Sequence, residues 1–70
     1  MAEFKISRMF RNRPEERAFD GVQKQLQDEL EDMAERTGHR VLRFSELTFT
    51  EHGARWVGRI TAFTQRVRRK

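Results

Sequence analysis

The sequence predicts a small α+β domain of the order β-α-β-β, with one amphipathic helix packed on a two- to three-stranded antiparallel sheet. Three observations support this prediction. Residues 14–37 carry apolar side chains at helical spacing, residues 41–67 are rich in β-branched and aromatic residues, and residues 1–13 contain a short alternating segment. A chain of 70 residues has room for a single domain with a small core.

The helix prediction for residues 14–37 depends on an apolar stripe and on signals at both ends. The stripe is formed by residues three or four positions apart, namely Phe19, Val22, Leu26, Leu30 and Met33. Pro14 suits the first helical position, where its missing N–H is not needed. Gly38 suits the left-handed conformation that follows many helices. We therefore expect the helix to begin at Pro14 and to end before Gly38.

Residues 41–67 predict a β-hairpin with its turn inside residues 51–54. A turn at His52-Gly53, or a loop over all four residues, pairs Phe49 with Trp56 and keeps most apolar side chains on the face toward the helix. This register leaves four apolar residues on the outer face: Leu42, Phe44, Val57 and Phe63. Two interpretations stay open. Either the four form an oligomer interface, or a β-bulge near Ser45 and Glu46 turns Leu42 and Phe44 back into the core.

The two ends of the chain are less sharply patterned. Phe4, Ile6 and Phe10 alternate, which favours a short strand over residues 3–10, although the segment also fits the start of a helix. Residues 66–70 are expected to form a fraying basic tail.

Composition excludes several classes of site and of protein. The chain has no cysteine, which excludes disulfides and thiolate metal ligands, and no metal or other cofactor is expected. No apolar run is long enough to span a membrane, and no apolar segment near the start resembles a secretory signal. We therefore expect a cytoplasmic protein with no membrane partner. Because so small a core gives limited stability, we also expect a homo-oligomer.

Charge is divided unevenly along the chain. Residues 14–36 hold eight acidic and three basic residues, net −5, whereas the remainder holds three acidic and twelve basic residues, net +9. The predicted helix is therefore acidic, while the predicted hairpin and both ends are basic. Such a helix cannot be a nucleic-acid recognition helix, because it would repel phosphate.

The basic residues suggest a nucleic-acid-binding surface. Eleven of them are interspersed with Phe, Trp and Thr: Arg8, Arg11, Arg13, Arg40, Arg43, Arg55, Arg59, Arg66, Arg68, Arg69 and Lys70. Ten of the eleven are arginine, which binds phosphate bidentately and stacks on bases. No catalytic motif is present, so the sequence predicts a non-enzymatic protein that binds DNA or RNA.

Two alternatives remain at this point. The charge division also suits a protein–protein interaction module that regulates or inhibits a larger partner, of the kind often encoded by phages or mobile elements. In addition, the order of a strand at 3–10, a helix at 14–37 and two long strands within 41–67 resembles the dodecins, small flavin-storing oligomers. The resemblance implies a similar fold and a small oligomer. It does not extend to the flavin site, because Val41, Leu42 and Arg43 occupy the stretch where dodecins carry a stacking aromatic residue.

Overall fold

The computed structural model describes residues 2–68 of the chain. Its elements are β1 (Ala2–Phe10), a 3-10 turn (Glu16–Ala18), α1 (Phe19–Arg36), β2 (His39–Phe44), β3 (Thr48–His52) and β4 (Arg55–Arg66). The helix packs on an antiparallel sheet, which confirms the α+β class. The sheet has four strands rather than the two or three expected. The strand predicted over residues 3–10 is confirmed as β1.

The longest strand, β4, is the centre of the sheet. β1 pairs along one side of β4, while β2 and β3 follow one another along the other side. Because successive side chains in a strand point to opposite faces, the sheet has an inner face toward α1 and an outer face away from it. Ile60, Ala62 and Thr64 are buried on the inner face, whereas the alternate residues of β4 lie on the outer face.

The core lies between α1 and the inner face of β4. Leu26, Leu30 and Ala34 from the helix and Ile60 and Ala62 from β4 are the buried apolar residues among those described. Half-buried side chains surround them, namely Phe4 and Ile6 from β1, Val41 and Phe44 from β2, and Leu47 from the segment between β2 and β3. The stripe predicted for the helix is right except at its end. Met33 is 40% exposed, and Ala34 continues the four-residue spacing into the core instead.

The predicted start of the helix is wrong. Pro14 precedes the helix, Glu15 is extended with φ −64° and ψ 149°, and α-helical structure begins at Phe19 after the 3-10 turn. The intervening residues carry the chain from the end of β1 up to the helix layer. The predicted end is confirmed, since Gly38 adopts φ 77°. The Thr37 hydroxyl donates to the carbonyl oxygen of Ala34 at 3.0 Å, which caps the last turn.

The hairpin register predicted from the sequence is wrong near the turn. The turn is formed by Gly53 and Ala54, so that His52 pairs with Arg55 and Phe49 pairs with Gly58 rather than with Trp56. A shift of two residues preserves the faces, and Phe49 and Trp56 are still on the inner side. At the far end the predicted register holds, because Val41 pairs with Thr64.

Two irregularities between these ends explain the difference. The register shifts between Val41 and Arg43, and it shifts again across residues 45–47, where β2 ends and β3 begins. The first shift places Phe44 opposite Ala62 on the inner face, where Phe44 packs against the core. Each shift adds one residue to the β2–β3 arm relative to β4. The sequence prediction used one constant register for the whole hairpin and therefore did not include these two extra residues.

Candidate nucleic-acid interface

The outer face of the sheet gathers basic residues from three strands, β1, β2 and β4. Five exposed bases lie there, and we call them the basic face: Lys5, Arg40, Arg43, Arg55 and Arg59. Glu3 is the acidic residue that the strand ladders place on the same side, opposite Phe63. The remaining outer-face positions are largely hydroxyl-bearing or apolar, including Ser7, Thr48 and Thr50. The basic face therefore carries a clear excess of positive charge.

Strand pairing sets the spacing of these charges. Lys5 lies opposite Thr61, Arg43 opposite Phe63 and Arg40 opposite Gln65, while Arg55 and Arg59 belong to β4 itself. Measured along β4, the basic face therefore runs from residue 55 to residue 65, about 33 Å at 3.3 Å per residue. The molecule is elongated, 49 × 23 × 17 Å, and the basic face follows its long axis. This is a strip of charge rather than a pocket.

The five bases of the basic face carry no carboxylate partner within residues 2–68. The four ion pairs in this part of the chain join Arg8 to Glu29, Arg17 to Glu15, Lys24 to Asp28 and Arg36 to Asp32. Instead, the Arg43 guanidinium carbon lies 4.0 Å from the centre of the Phe63 ring, and Arg55 Nη1 lies 3.5 Å from the Met9 sulfur. Both contacts hold a guanidinium against the sheet without neutralising its charge.

The opposite layer of the molecule is acidic. The exposed surface of α1 carries Asp20, Asp28, Glu31, Asp32 and Glu35. The sheet separates these carboxylates from the basic face, so the division of charge seen along the sequence becomes a division between two sides of the fold. A polyanion approaching the basic face meets the positive side first.

Some predicted site residues lie elsewhere. Arg8 points to the inner side of the sheet, where its Nη2 donates to Glu29 Oε1 at 2.6 Å, so its charge is already compensated. Arg66 is opposite His39 on the inner side of the sheet, at the end of β4.

Other predicted site residues lie outside the strands. Arg11 and Arg13 belong to the connection after β1, and the Arg13 guanidinium lies 5.5 Å from the Phe19 ring centre and 5.8 Å from that of Trp56. Arg68 follows β4, and Arg69 and Lys70 lie outside the described residues.

Sequence reasoning missed Lys5. The signal was present, because Phe4 and Ile6 on the inner face require Lys5 on the outer one. Its position among the arginines follows only from the pairing of β1 with β4, which places it beside Thr61.

A shallow depression lies on the outer face toward the turn. Its volume is about 380 Å³, and its lining includes Ser7, Met9, Thr50, His52, Val57 and Arg59. Hydroxyl-bearing residues, two apolar residues and two arginines, Arg8 and Arg59, thus line the depression.

The structure does not bring the four residues of the predicted oligomer interface together. Phe44 is on the inner face, and Phe63 is covered by Arg43. Val57 is separated from Phe63 along β4 by six residues, about 20 Å, with Arg59 and Thr61 between them. Leu42 is 47% exposed at the bulge. The four residues therefore do not form one apolar patch.

No family model, no curated protein and no solved structure matches this chain.

Two further observations concern residues 2–68. This part of the chain brings no three His, Asp or Glu side chains close enough to share a metal ion. Its one α-helix is not long and apolar enough to cross a membrane.

Proposed function

We propose that this chain is a small non-enzymatic protein that binds DNA or RNA through the outer face of its sheet. The observation that carries the proposal is the basic face itself: five exposed bases without a carboxylate partner in residues 2–68, on the side opposite the acidic helix. Phosphate contacts by Arg and Lys supply most of the affinity in sequence-independent nucleic-acid binding. The intervening Ser and Thr hydroxyls can add hydrogen bonds to phosphate or sugar oxygens.

The proposal is tested by fluorescence anisotropy with labelled single-stranded DNA, duplex DNA and RNA of equal length. Five phosphate contacts give a slope of log affinity against log salt of about −3.5 for a single strand and about −4.5 for a duplex. A steep slope of this size supports the proposal, and the three probes show which nucleic acid is preferred. Absence of binding to every probe at about 50 mM salt would overturn it.

Two double variants distinguish the effect of charge on the basic face from the effect of total net charge. Arg55→Gln with Arg59→Gln removes two charges from the basic face, and Lys24→Gln with Arg36→Gln removes two from the helix layer. We expect the first pair to reduce the size of the salt slope by about 1.4 to 1.8 and the second to leave it nearly unchanged. Equal losses in the two variants would show that binding depends on net charge and not on this face.

A second candidate function is favoured by the exposed surface of α1. There, Met33 is 40% exposed, and the exposed residue Asp32 precedes it in the helix. An acidic surface with an apolar centre suits a basic partner protein. Charge reversal of Glu31, Asp32 and Glu35 would release such a partner in a pull-down from the native host, whereas Arg55→Gln with Arg59→Gln would not.

A further inference from the structure

The outer edge of β1 has no strand partner within residues 2–68. β1 pairs with β4 alone, and the register is unbroken over nine residues, from Ala2 opposite Thr64 to Phe10 opposite Trp56. Alternate residues of such an edge strand direct their N–H and C=O groups away from the sheet. The segment carries Lys5 and the inward-pointing Arg8, charges of a kind that can protect an edge, but it contains no proline and no bulge that would prevent another strand from pairing with it.

The opposite edge of the sheet is built differently. It consists of β2 and β3, which are interrupted by residues 45–47 and by the register shift next to Leu42. Bulges and short strands are features that block edge-to-edge pairing. The contrast leaves β1 as the edge that is open to a further strand.

The inner side of β1 is also incompletely covered. The helix lies more over β2 and β4 than over β1. Phe4, Ile6 and Phe10 alternate onto the core side, and all three are only half-buried. A strand added beside β1 would cover part of this apolar surface and would pair the free backbone groups.

We propose that a second copy of this chain occupies the edge, with the two β1 strands antiparallel around a two-fold axis at Ile6. This register pairs all nine residues and places Ile6 opposite its own counterpart. Lys5 is then opposite Ser7 of the second copy, and Glu3 is opposite Met9, so no like charges lie directly opposite each other, while the two copies of Lys5 are diagonal neighbours. The symmetry is that of an isologous dimer.

The dimer has a consequence for the basic face. A two-fold axis perpendicular to the sheet keeps both helices on one side and joins the two outer faces into one surface. The dimer itself does not rest on the proposed function, whereas the use of the joined surface for nucleic acid does. Sedimentation without nucleic acid therefore tests the dimer, and a failure there leaves the binding experiment above unaffected.

A matched pair of lysine substitutions tests the edge. Ser7 and Thr48 both lie opposite Arg59 on the outer face, Ser7 in β1 and Thr48 in β3. Ser7→Lys places two new Lys–Lys pairs across the proposed interface, and Thr48→Lys adds the same charge away from it. We expect the wild type to sediment as a dimer at about 100 μM, and Ser7→Lys to raise the dimer Kd about tenfold relative to Thr48→Lys.

Cysteine cross-linking tests the register. Under oxidation, Ile6→Cys should form a disulfide-linked dimer, because opposed strand residues have Cα atoms about 4.5 to 5.5 Å apart. Glu3→Cys should not, since the two copies of residue 3 lie about 20 Å apart in this register. A wild type that is monomeric at about 100 μM, equal effects of Ser7→Lys and Thr48→Lys, or cross-linking of Glu3→Cys alone would overturn the inference.

Discussion

Arg8 and Arg59 show how strand alternation decides the role of an arginine. Arg8 is opposite Gly58, the residue before Arg59, yet the two guanidinium groups are on different faces. Arg8 is held by Glu29 at 2.6 Å and its side chain is 33% exposed, whereas Arg59 is exposed on the basic face. In the sequence the two residues are equivalent members of one basic set.

This difference gives a prediction for single substitutions. Arg59→Gln should weaken nucleic-acid binding about three- to tenfold and reduce the salt slope by about one phosphate contact. Arg8→Gln should leave the affinity within about twofold, because its charge is already compensated. Anisotropy titrations of the two variants at the same salt concentration check this. A larger loss for Arg8→Gln than for Arg59→Gln would contradict the assignment of faces.

Gly58 is a second position where a single residue matters. A Cβ atom there would lie 2.9 Å from Phe49 Cε1 and 3.0 Å from Phe10 Cε2. The two rings pack edge to face, with centroids 5.9 Å apart, in the space that glycine leaves over β4. Gly58 therefore permits the aromatic packing at the turn end of the inner face.

Gly58→Val should lower the free energy of unfolding by about 2 kcal/mol, because both rings must move to admit the side chain. Gly21 is the matched control, because a Cβ there meets no atom within 4 Å. Gly21→Ala should raise stability by up to about 1 kcal/mol through helix propensity. Urea denaturation measures both variants, and an unchanged midpoint for Gly58→Val would contradict the close packing of Phe10 and Phe49 over Gly58.

At the scale of elements, the turn between β3 and β4 has a clear conformational requirement. Gly53 has φ 65°, Ala54 has no positive φ, and the two residues connect the His52–Arg55 pair. Glycine at the first of two loop residues is typical of a type II′ turn. Gly53→Ala should therefore cost about 1 kcal/mol of stability, and Ala54→Ser should be nearly neutral. Thermal unfolding of the two variants would show the asymmetry, and equal midpoints would contradict it.

The elements could be predicted from the sequence where their signals are local. The apolar stripe of α1, the positive φ of Gly38 and the alternation of β1 all depend on neighbouring residues. The hairpin register could not be predicted, because the shifts beside Leu42 and across residues 45–47 depend on long-range pairing with β4. The helix start was also missed, because Glu15 is extended and the chain enters α1 through the 3-10 turn at Glu16–Ala18.

The sequence could predict a basic surface, but it could not predict which basic residues would form it. Four arginines of the predicted set reach the basic face, namely Arg40, Arg43, Arg55 and Arg59. Which basic residues share a face depends on the registers of β1, β2 and β3 against β4. The register of β1 places Lys5 on the basic face and Arg8 on the inner face.

At the scale of the whole molecule, one sheet separates two charged surfaces. The acidic helix covers the inner face, while the outer face carries the basic strip along the 49 Å axis. A sheet with one solvated face is common in antiparallel architectures, where polar residues usually cover that face. Here five of the residues on that face are arginine or lysine without carboxylate partners in residues 2–68, and this arrangement is the basis of the proposed function.

The most direct test is to follow the arginine side chains by NMR while a nucleic acid is added. The Nε–Hε signals of Arg40, Arg43, Arg55 and Arg59 report on the basic face, and those of Arg17 and Arg36 report on the helix layer and the segment leading into it. We expect the signals of the first group to shift and to saturate with binding while those of the second group stay unchanged. Shifts confined to the second group, or spread equally over both, would contradict this expectation.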